Sequence, residues 1–419
     1  MDNWVRRRVV ITGLGAVAPT GLTMPEVWQA ALAGKNGIES ITRFDSSDYP
    51  TKIAGELKGF DPFLAMEAKE VRRSDLFLQY ANVACREALE DSQLDLTGED
   101  PYKIGVVIAS GIGGIQMAED QARVLQERGV NRVTPFFIPM MITDMAAGDI
   151  SIRYGLKGPN YSTVSACASA AHALLDAYNL LQLGYAEVIV VGGCEAPITP
   201  LSMAGFCQIK AMSTRNDEPH RASRPFDSER DGFVIGEGAA IAIVETLEHA
   251  RGRGARIYAE FLGGGMTADA YHMTAPEPSG EGMAESMNMA LRMAGIDRGE
   301  VDYINAHGTS TPLNDEVESK AIRRIFRDHA DTLNISSTKS MVGHLLGASG
   351  AIEFNILTMA IQEGNIPPTI NYENPDPECT LNYTPNASIE RALEVGLSNS
   401  FGFGGHNVTL AVRQFHVET

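Results

Sequence analysis

Residues 164–184 read VSACASAAHALLDAYNLLQLG, which joins a β-branched approach, one cysteine and a long helical pattern rich in alanine and leucine. This order predicts that Cys167 lies in a turn between a strand and a helix. The positive end of a helix stabilises a thiolate by about 0.3–1 kcal/mol, so we expect a slightly lowered pKa for this thiol. That effect alone leaves most of the thiol protonated at neutral pH, and a base or cation should assist. Taken alone, a single cysteine is more often a small core residue than a nucleophile.

Short β-branched runs alternate with helical patterns along the chain, which predicts an α/β fold. Strands are predicted at residues 9–12, 104–109, 188–191, 301–305, 333–336 and 395–398, and helices near residues 24–33 and 74–91. Thr23 and Glu26 supply a capping box for the first of these helices. The alternation restarts near residue 255, and 419 residues exceed what one simple core usually organises. We therefore predict two halves, residues 1–254 and 255–419.

The composition restricts partners and compartment. The 53 acidic and 34 basic residues give a formal charge of −19, which opposes non-specific binding to nucleic acid or to an anionic membrane. No stretch approaches the roughly 20 apolar residues that a membrane span needs. The five cysteines, at positions 85, 167, 194, 207 and 379, lack the spacing of a disulfide or zinc framework, which favours a reducing cytoplasm. Arg6 to Arg8 precede an apolar run, but glycines interrupt it, so we expect no secretion signal.

Residues 13–18 read GLGAVA after a strand and match the dinucleotide-binding pattern G-x-G-x-x-A. That pattern requires a helix to begin at once, whereas Pro19, Thr20 and Gly21 keep the chain in a turn. We therefore interpret the match as coincidental and do not predict a nucleotide site.

Two further segments each place a histidine near the end of a predicted strand. Residues 306–315 read AHGTSTPLND, and residues 337–350 read STKSMVGHLLGASG. Because sites in open α/β sheets assemble at the carboxyl ends of strands, Cys167, His307 and His344 could converge. No pair of histidines has the local spacing of metal ligands, so we predict no metal site. Ordinary satisfied polar roles are expected for the histidines at 172, 220, 249, 329 and 416.

Residues 399–407 read NSFGFGGHN and follow another predicted strand. A glycine-rich loop brings backbone N–H groups close to a substrate and can also move. A tight turn before the last strand is the structural alternative.

Together these four motifs, in this order, resemble those of the beta-ketoacyl-acyl carrier protein synthases, and in particular the synthase II group of the thiolase-fold superfamily. The resemblance runs from about Arg8 to the last strand. It implies a thiolase-like fold, in which two topologically similar α/β halves pack as a layered αβαβα structure. It also implies a Cys-His-His site, whereas thiolases use a second cysteine and the initiating synthase uses histidine plus asparagine. His406, Ala166 and Ala168 stand where many relatives carry threonine.

The resemblance implies a reaction. Cys167 would take the acyl chain from an acyl carrier protein, and the N–H groups of Cys167 and Phe403 would form the oxyanion hole. His307 and His344 would bind the enolate oxygen formed when malonyl carrier loses carbon dioxide. This is the 3-oxoacyl synthase step of type II fatty acid elongation. A ketosynthase of a polyketide or specialised lipid pathway remains an alternative, whereas a non-catalytic partner subunit is disfavoured because such subunits typically lack the cysteine.

Further roles follow from the resemblance alone. Lys339 would set the local electrostatics with Glu353 and Asp315, a structural ion pair being the alternative, and Phe401 would support the site. Phe403 would gate the tunnel, Ile112 would line the acyl pocket, and Thr274, Thr309 and Thr311 would bind the carrier's phosphopantetheine arm. The expected carrier-docking residues are Lys69, Arg72, Arg73, Arg132 and Lys210. A homodimer is implied, with no cofactor beyond the substrate-borne 4'-phosphopantetheine, although a structural monovalent cation is compatible with the family.

Overall fold

The computed structural model describes residues 6–417. Within them, ten strands form one continuous sheet. They are β1 (Val9–Val17), β2 (Ile104–Ala109), β3 (Asn160–Tyr161), β4 (Val188–Glu195), β5 (Gly238–Thr246), β6 (Ala259–Ala268), β7 (Tyr303–Asn305), β8 (Asn334–Ser336), β9 (Val395–Gly402) and β10 (His406–Gln414). Two small sheets pair Glu39–Ser40 with Ile53–Ala54 and Asn365–Ile366 with Ile389–Glu390.

The ten strands fall into two sets of five with the same topology. The first set has the order β3-β2-β4-β5-β1 and the second β8-β7-β9-β10-β6. In each set the first three strands are parallel and the last two pair antiparallel. The sets meet where residues 9–11 of β1 pair with residues 259–261 of β6. Two topologically similar halves are thereby confirmed, whereas the exact division between residues 254 and 255 stays a prediction.

Helices cover the outer faces of the sheet and fill the space between its two halves. They are α1 (Met24–Leu32), α2 (Ala68–Val71), α3 (Leu76–Ser92), α4 (Ile115–Arg128), α5 (Phe137–Met141), α6 (Met145–Tyr154), α7 (Ser169–Gln182), α8 (Pro200–Ile209), α9 (Leu247–Gly252), α10 (Glu281–Ala294), α11 (Pro312–Phe326), α12 (Lys339–Val342) and α13 (Ser349–Glu363). Helices α7 and α13 contact each other and strands of both halves, so they form the central layer. Helices α3 and α6 cover the first half on the outside, and α10, with α11 packed on it, covers the second. This is the layered αβαβα thiolase-like arrangement.

The central helices carry small residues where they pack because strands of both halves of the sheet approach them closely. The alanines of α7 at 170, 171, 173 and 177 are all buried in the central apolar cluster. A Cβ on Gly193 of β4 would lie 2.8 Å from the Cβ of Ala170, and a Cβ on Gly350 of α13 would lie 2.8 Å from the backbone nitrogen of Ala171. The alanine-rich pattern of residues 164–184 therefore reflects close packing on the buried face of α7.

The glycines of the GLGAVA segment do not form a loop. Strand β1 runs through them to Val17, five residues beyond the predicted strand end at residue 12. A Cβ on Gly13 would lie 2.3 Å from the carbonyl oxygen of Ala88, and one on Gly15 would lie 2.1 Å from that of Ala84. These glycines therefore let α3 cross β1 at close range, which explains the pattern without a nucleotide.

The predicted helices are observed with small differences. The Thr23 side chain accepts a hydrogen bond from the Glu26 N–H, as in a capping box, but the Glu26 carboxylate accepts from the Leu22 N–H instead of the Thr23 N–H. The second predicted helix, near residues 74–91, is α3 (Leu76–Ser92).

Across residues 6–417, no helix is long and apolar enough to cross a membrane.

Candidate active site

Cys167 occupies a single 3₁₀ turn, Ala166–Ala168, that leads directly into α7. The preceding strand β3 is only two residues long, so the approach at residues 162–165 is irregular instead of extended. Ala166 has a φ of 50°, a conformation that L-residues rarely adopt. The Ser165 N–H donates to the Ser169 hydroxyl, and the Ser165 hydroxyl lies 2.7 Å from His172 Nδ1. These bonds hold the turn that presents the thiol.

Burial dominates the ionisation of the Cys167 thiol. It raises the pKa to about 11, although the Lys339 ammonium and the N–H groups of Phe403 and Cys167 oppose that rise. The expected lowering of the thiol pKa by the helix end is therefore wrong in sign. Removing the thiolate from water destabilises it by more free energy than the helix terminus stabilises it. The resting thiol is protonated and needs a base.

His344 is positioned to be that base. Its Nε2 lies 3.0 Å from Cys167 Sγ, and its Nδ1 lies 2.8 Å from the Ser349 hydroxyl. Burial, helped by the Lys339 charge, holds the pKa of His344 well below its usual range. In the tautomer with the ring proton on Nδ1, the Nδ1–H donates a hydrogen bond to the Ser349 hydroxyl. Nε2 can then accept the thiol proton.

His307 faces His344 across the same space, with ring centroids 5.5 Å apart and ring planes at 85°. Burial first, then Lys339 and His344, hold the pKa of His307 well below its usual range. The Lys339 ammonium lies 3.4 Å from His307 Nδ1. Because an ammonium only donates, Nδ1 must accept, and the ring proton then lies on Nε2. His307 can therefore donate a hydrogen bond to a substrate oxygen.

Lys339 is itself buried, with 1% of its surface exposed. Its ammonium donates to the His307 carbonyl oxygen at 2.7 Å and forms an ion pair with Glu353. Burial raises the pKa of Glu353 to about 7, although Lys339 opposes the rise. The predicted third member, Asp315, is elsewhere. It lies in the first turn of α11, where its carboxylate accepts from the Phe226 N–H at 2.9 Å and lies 3.6 Å from Arg230.

The end of β9 brings the glycine-rich loop against the cysteine. A Cβ on Gly402 would lie 3.1 Å from the Cys167 nitrogen and 2.8 Å from the Ser165 carbonyl oxygen, so a larger residue would push the loop away. The Phe403 N–H and the Cys167 N–H both face the sulfur. Phe401 is buried, with its ring centroid 5.9 Å from that of His307, and Phe403 is half-buried in the cavity wall. The loop therefore contributes both a donor and part of the cavity wall, and the gating role of Phe403 stays a prediction.

A cavity of about 390 Å³ joins these groups. Its lining includes Cys167, His307 and His344, and also Thr274, Thr309 and Thr311. The hydroxyls of Thr309 and Thr311 lie 2.9 Å apart. Lys210 belongs to the same lining.

Ile112 does not line the cavity in this state, so its predicted place in an acyl-pocket wall is not observed. It is half-buried, and its N–H donates to Glu195. The loop that carries it is closed against the turn at Gly347.

The predicted docking residues Lys69, Arg72, Arg73, Arg132 and Lys210 are all exposed. The Arg73 guanidinium lies 4.4 Å from the centroid of the Phe136 ring, which brings the end of α2 next to the segment that carries Arg132. Lys210 follows α8 at the cavity.

Two buried carboxylates were not identified from the sequence. Glu318 of α11 accepts the N–H groups of His307 and Gly308, at 2.9 and 2.8 Å, and the Asn399 side chain at 3.2 Å. Glu195 at the end of β4 accepts backbone N–H groups from both halves. No local pattern marks either residue, because their donors come from distant segments.

A buried cysteine next to a neutral imidazole, with a second imidazole across the same cavity, defines a condensing enzyme of the thiolase-like fold. The chain belongs to the beta-ketoacyl synthase family, since residues 6–250 match the model of its N-terminal domain and residues 258–373 match that of its C-terminal domain.

Curated relatives cover nearly the whole chain. It is 51% identical over 415 residues to "3-oxoacyl-[acyl-carrier-protein] synthase 2" of Synechocystis sp., covering 99% of this chain and 100% of that protein. The protein of the same name from Coxiella burnetii is 51% identical over 407 residues, covering 97% and 98%. Among solved structures, a beta-ketoacyl synthase from Burkholderia phymatum has a TM-score of 0.91 at 36% identity, covering 98% of this chain and 100% of that chain. The ketosynthase of a type II polyketide synthase, solved with its acyl-carrier protein, has a TM-score of 0.91 at 34% identity, with the same coverage.

Proposed function

We propose that this protein is a 3-oxoacyl-[acyl-carrier-protein] synthase, an acyltransferase that lengthens acyl chains in fatty acid elongation. The observation that carries the proposal is the 3.0 Å approach of His344 Nε2 to Cys167 Sγ inside a cavity that His307 shares. The relatives near 50% identity bear the name of this activity.

The first half-reaction loads the cysteine. His344 accepts the thiol proton while Sγ attacks the thioester carbonyl of an acyl carrier. The oxyanion that develops is held by the N–H groups of Cys167 and Phe403, and losing one such donor typically costs about 100- to 1000-fold. The bond to the carrier's sulfur breaks, the proton returns to that sulfur, and the acyl chain remains on Cys167.

The second half-reaction forms the new carbon–carbon bond. The malonyl carrier loses carbon dioxide, and the electron pair of the broken bond passes to the thioester as an enolate. The Nε2–H of His307 donates to its oxygen. His344 completes the pair of donors in its other tautomer, in which the Ser349 hydroxyl donates to Nδ1 and the ring proton lies on Nε2. The enolate carbon attacks the acyl-cysteine carbonyl, the bond to Sγ breaks, and 3-oxoacyl carrier leaves. The Cys167 thiolate that remains takes up a proton from solvent, which restores the thiol. Two neutral imidazoles suit this step because the charge on oxygen is transient.

The carrier arm and the carrier itself have candidate contacts. Thr309 and Thr311 offer hydroxyls to the amides of the phosphopantetheine arm, and Thr274 lies in the same lining. The five exposed basic residues at 69, 72, 73, 132 and 210 give an acidic carrier local positive charge on a chain of charge −19. The polyketide ketosynthase of the same fold was solved in complex with its acyl-carrier protein, which supports this kind of partner.

A second copy of the chain is the proposed subunit partner. Strand β3 ends the first half of the sheet and has one free edge. Exposed apolar side chains accompany it, with Ile152 79% and Val164 58% exposed, and no residue of the amphipathic helix α4 is buried. A free strand edge beside exposed apolar surface is a site for self-association.

A monovalent cation is a further part of the proposal. The side chains of Asn305 and Ser398, opposite each other on β7 and β9, are buried and have no hydrogen-bond partner within residues 6–417. Amide and hydroxyl oxygens such as theirs are donors that hard cations prefer.

All five cysteines, each within residues 6–417, are free, which supports a reducing, cytoplasmic location.

One experiment separates this function from its polyketide alternative, which the structural similarity to polyketide ketosynthases keeps open. The protein is incubated with hexanoyl carrier and excess malonyl carrier in the absence of any reductase, and the carrier-bound products are identified by mass. A fatty acid synthase adds one two-carbon unit and stops at the 3-oxo product. Repeated addition to the unreduced chain would favour polyketide assembly, and no addition would contradict both.

A further inference from the structure

Glu195 lies at the end of β4, fully buried, and its carboxylate receives four donors. Oε1 accepts from the Ser110 hydroxyl at 2.9 Å and from the Ile112 N–H at 3.1 Å. Oε2 accepts from the Gly111 N–H at 2.7 Å and from the Gly347 N–H at 2.9 Å. Three donors belong to the loop after β2 in the first half of the molecule, and the fourth belongs to a turn in the second half.

Only an ionised carboxylate satisfies this arrangement, because each oxygen accepts two hydrogen bonds. An amide would place its NH₂ against two donors. The packing leaves no slack either, since a Cβ on Gly347 would lie 2.2 Å from the Gly111 nitrogen and one on Gly111 would lie 2.8 Å from Glu195 Oε2. The carboxylate therefore fixes the spacing between the loop and the turn.

The turn to which Glu195 is bonded also positions His344 and its hydrogen-bond partner. Residues 345–348 connect His344 to Ser349, whose hydroxyl contacts His344 Nδ1. Leu346 of this turn has a φ of 48° and lines the cavity. A shift of the turn would therefore move both the ring and its partner.

We propose that Glu195 is a positioning residue, whose carboxylate anchors the turn 345–348 and thereby places the His344 imidazole against Cys167. The inference rests on the proposed function, because it assigns to His344 the role of base toward the cysteine. No substrate atom needs to touch Glu195.

The charge of Glu195 has a second effect that distinguishes positioning from mere stability. It lies close enough to Cys167 to raise the pKa of the thiol. Removing the charge should therefore increase the thiolate fraction at a given pH while the displaced His344 slows condensation. A loss of stability far from the site would not make the thiol more reactive. Local loosening that hydrates the thiol would also lower its pKa, because burial is the main cause of the rise, so a variant that weakens the anchor but keeps the charge must accompany the test.

The test compares Glu195→Gln with Glu245→Gln. Glu245 is a matched control, since it is fully buried, receives bonds from Thr12, His249 and Arg253, and is not part of the cavity lining. Iodoacetamide labelling of Cys167 is followed across pH, and condensation is measured with acyl and malonyl carriers. For Glu195→Gln we expect a labelling midpoint at lower pH and a condensation rate reduced about 10- to 100-fold. For Glu245→Gln we expect neither change, although both variants unfold at lower temperature.

A second variant covers the event that Glu195→Gln does not fold. Ser110→Ala removes one of the four donors and keeps the charge, so condensation should fall about 2- to 10-fold with the labelling midpoint unchanged. The inference is overturned if Glu195→Gln matches Glu245→Gln in both readouts, or if Glu195→Gln is unfolded and Ser110→Ala condenses at the full rate. Wild-type protein without condensation activity would contradict the proposed function instead. If the wild type condenses and Glu195→Gln retains the full condensation rate, only the inference about Glu195 is overturned, whatever the labelling midpoint.

Discussion

Lys339 sets the electrostatics of the two histidines without touching the cysteine. Its ammonium contacts the carbonyl and the Nδ1 of His307 and is neutralised by Glu353. Burial and this charge together lower the pKa of both histidines, so the site keeps two neutral imidazoles. Neutral His344 can accept the thiol proton, and neutral His307 can donate to an oxygen that is only transiently charged.

The Lys339→Met variant tests this electrostatic role. Because Lys339 lowers the pKa of His307 and His344, its loss raises both pKa values. The acidic limb of the pH–rate profile for malonyl carrier decarboxylation therefore moves to higher pH. We expect the rate at mildly acidic pH to fall about 100-fold, with partial recovery in alkaline solution.

Two controls accompany that measurement. Lys339→Met leaves Glu353 buried and unpaired, so the double variant with Glu353→Gln should regain thermal stability but keep the shifted pH profile. Lys320→Met removes an exposed lysine that pairs with Glu316 on α11, and its profile should match the wild type. An unshifted acidic limb in Lys339→Met would contradict the electrostatic account.

The sequence predicts the site residues that lie within recognisable motifs. It misses the residues whose role depends on hydrogen bonds to backbone groups of distant segments. Cys167, His307, His344 and Lys339 are brought together as expected. Glu318 is missed because it reads as an ordinary helical glutamate, and its donors His307 and Gly308 lie ten or more residues away. The sign of the cysteine's pKa shift was missed for a related reason, since burial depends on the whole fold and a helix terminus does not.

At the scale of elements, the crossing of α3 over β1 depends on the absence of two side chains. Gly15→Ala would place a Cβ 2.1 Å from the Ala84 carbonyl, which neither the helix nor the central strand can easily relieve. We expect a loss of about 1–3 kcal/mol or more, measured by urea unfolding. Gly98→Ala is the control, because this exposed glycine has a nearest neighbour 3.8 Å from the added Cβ, and its effect should stay within about 0.5 kcal/mol. Equal stability of the two variants would contradict the packing account.

Helix α9 contacts β5 through His249, whose ring lies between two carboxylates. His249 Nε2 lies 3.0 Å from Glu99, and Nδ1 is bonded to Glu245. The Glu245 bond is the main cause that raises the pKa of His249 above its usual value.

This pairing gives stability a pH dependence. A folded pKa above the unfolded one means that the contribution is fully present below the unfolded pKa and is lost as pH rises through the folded pKa. His249→Gln should therefore lower the free energy of unfolding by about 1 kcal/mol near pH 5 and by less at pH 9. This figure is kept small because His249 is partly exposed to solvent. Urea unfolding at both pH values measures the difference. A cost that grows with pH would contradict the assignment of a charged His249.

Element types were easier to predict than element ends. Strands at 9–12, 188–191 and 395–398 all extend further in the structure, to Val17, Glu195 and Gly402. In each case the extension contains glycine, which a sequence pattern takes as a break but which a sheet accepts where another backbone approaches closely. The site residues Glu195 and Phe401 lie on these extensions.

The site belongs to neither half alone. Cys167 begins the central helix of the first half, whereas both histidines follow strands of the second half. The repeated strand order brings α7 and α13 together in the central layer, which places the cysteine turn beside His344. The sequence predicted the duplication from the restart of the pattern, but not the edge-to-edge pairing of β1 with β6, which is a long-range contact.

Self-association should depend on the free edge of β3. Ile152→Asp with Val164→Asp adds charge to the exposed apolar surface beside that edge, so we expect a dimer to become a monomer in light scattering after gel filtration. Tyr271→Asp changes a side chain that is 59% exposed after β6 in the second half, and it should leave the dimer intact. A monomeric wild type, or a double variant that remains dimeric, would contradict this use of the surface.

The central claim is that Cys167 carries the acyl chain between the two half-reactions. The most direct measurement is intact-mass spectrometry of the protein after incubation with an acyl carrier thioester, for the wild type and for Cys167→Ala, followed by addition of malonyl carrier. We predict an acyl adduct only when Cys167 is present, and its discharge as 3-oxoacyl carrier when malonyl carrier is added. An adduct that persists in Cys167→Ala, or no adduct with any acyl chain, would contradict the claim.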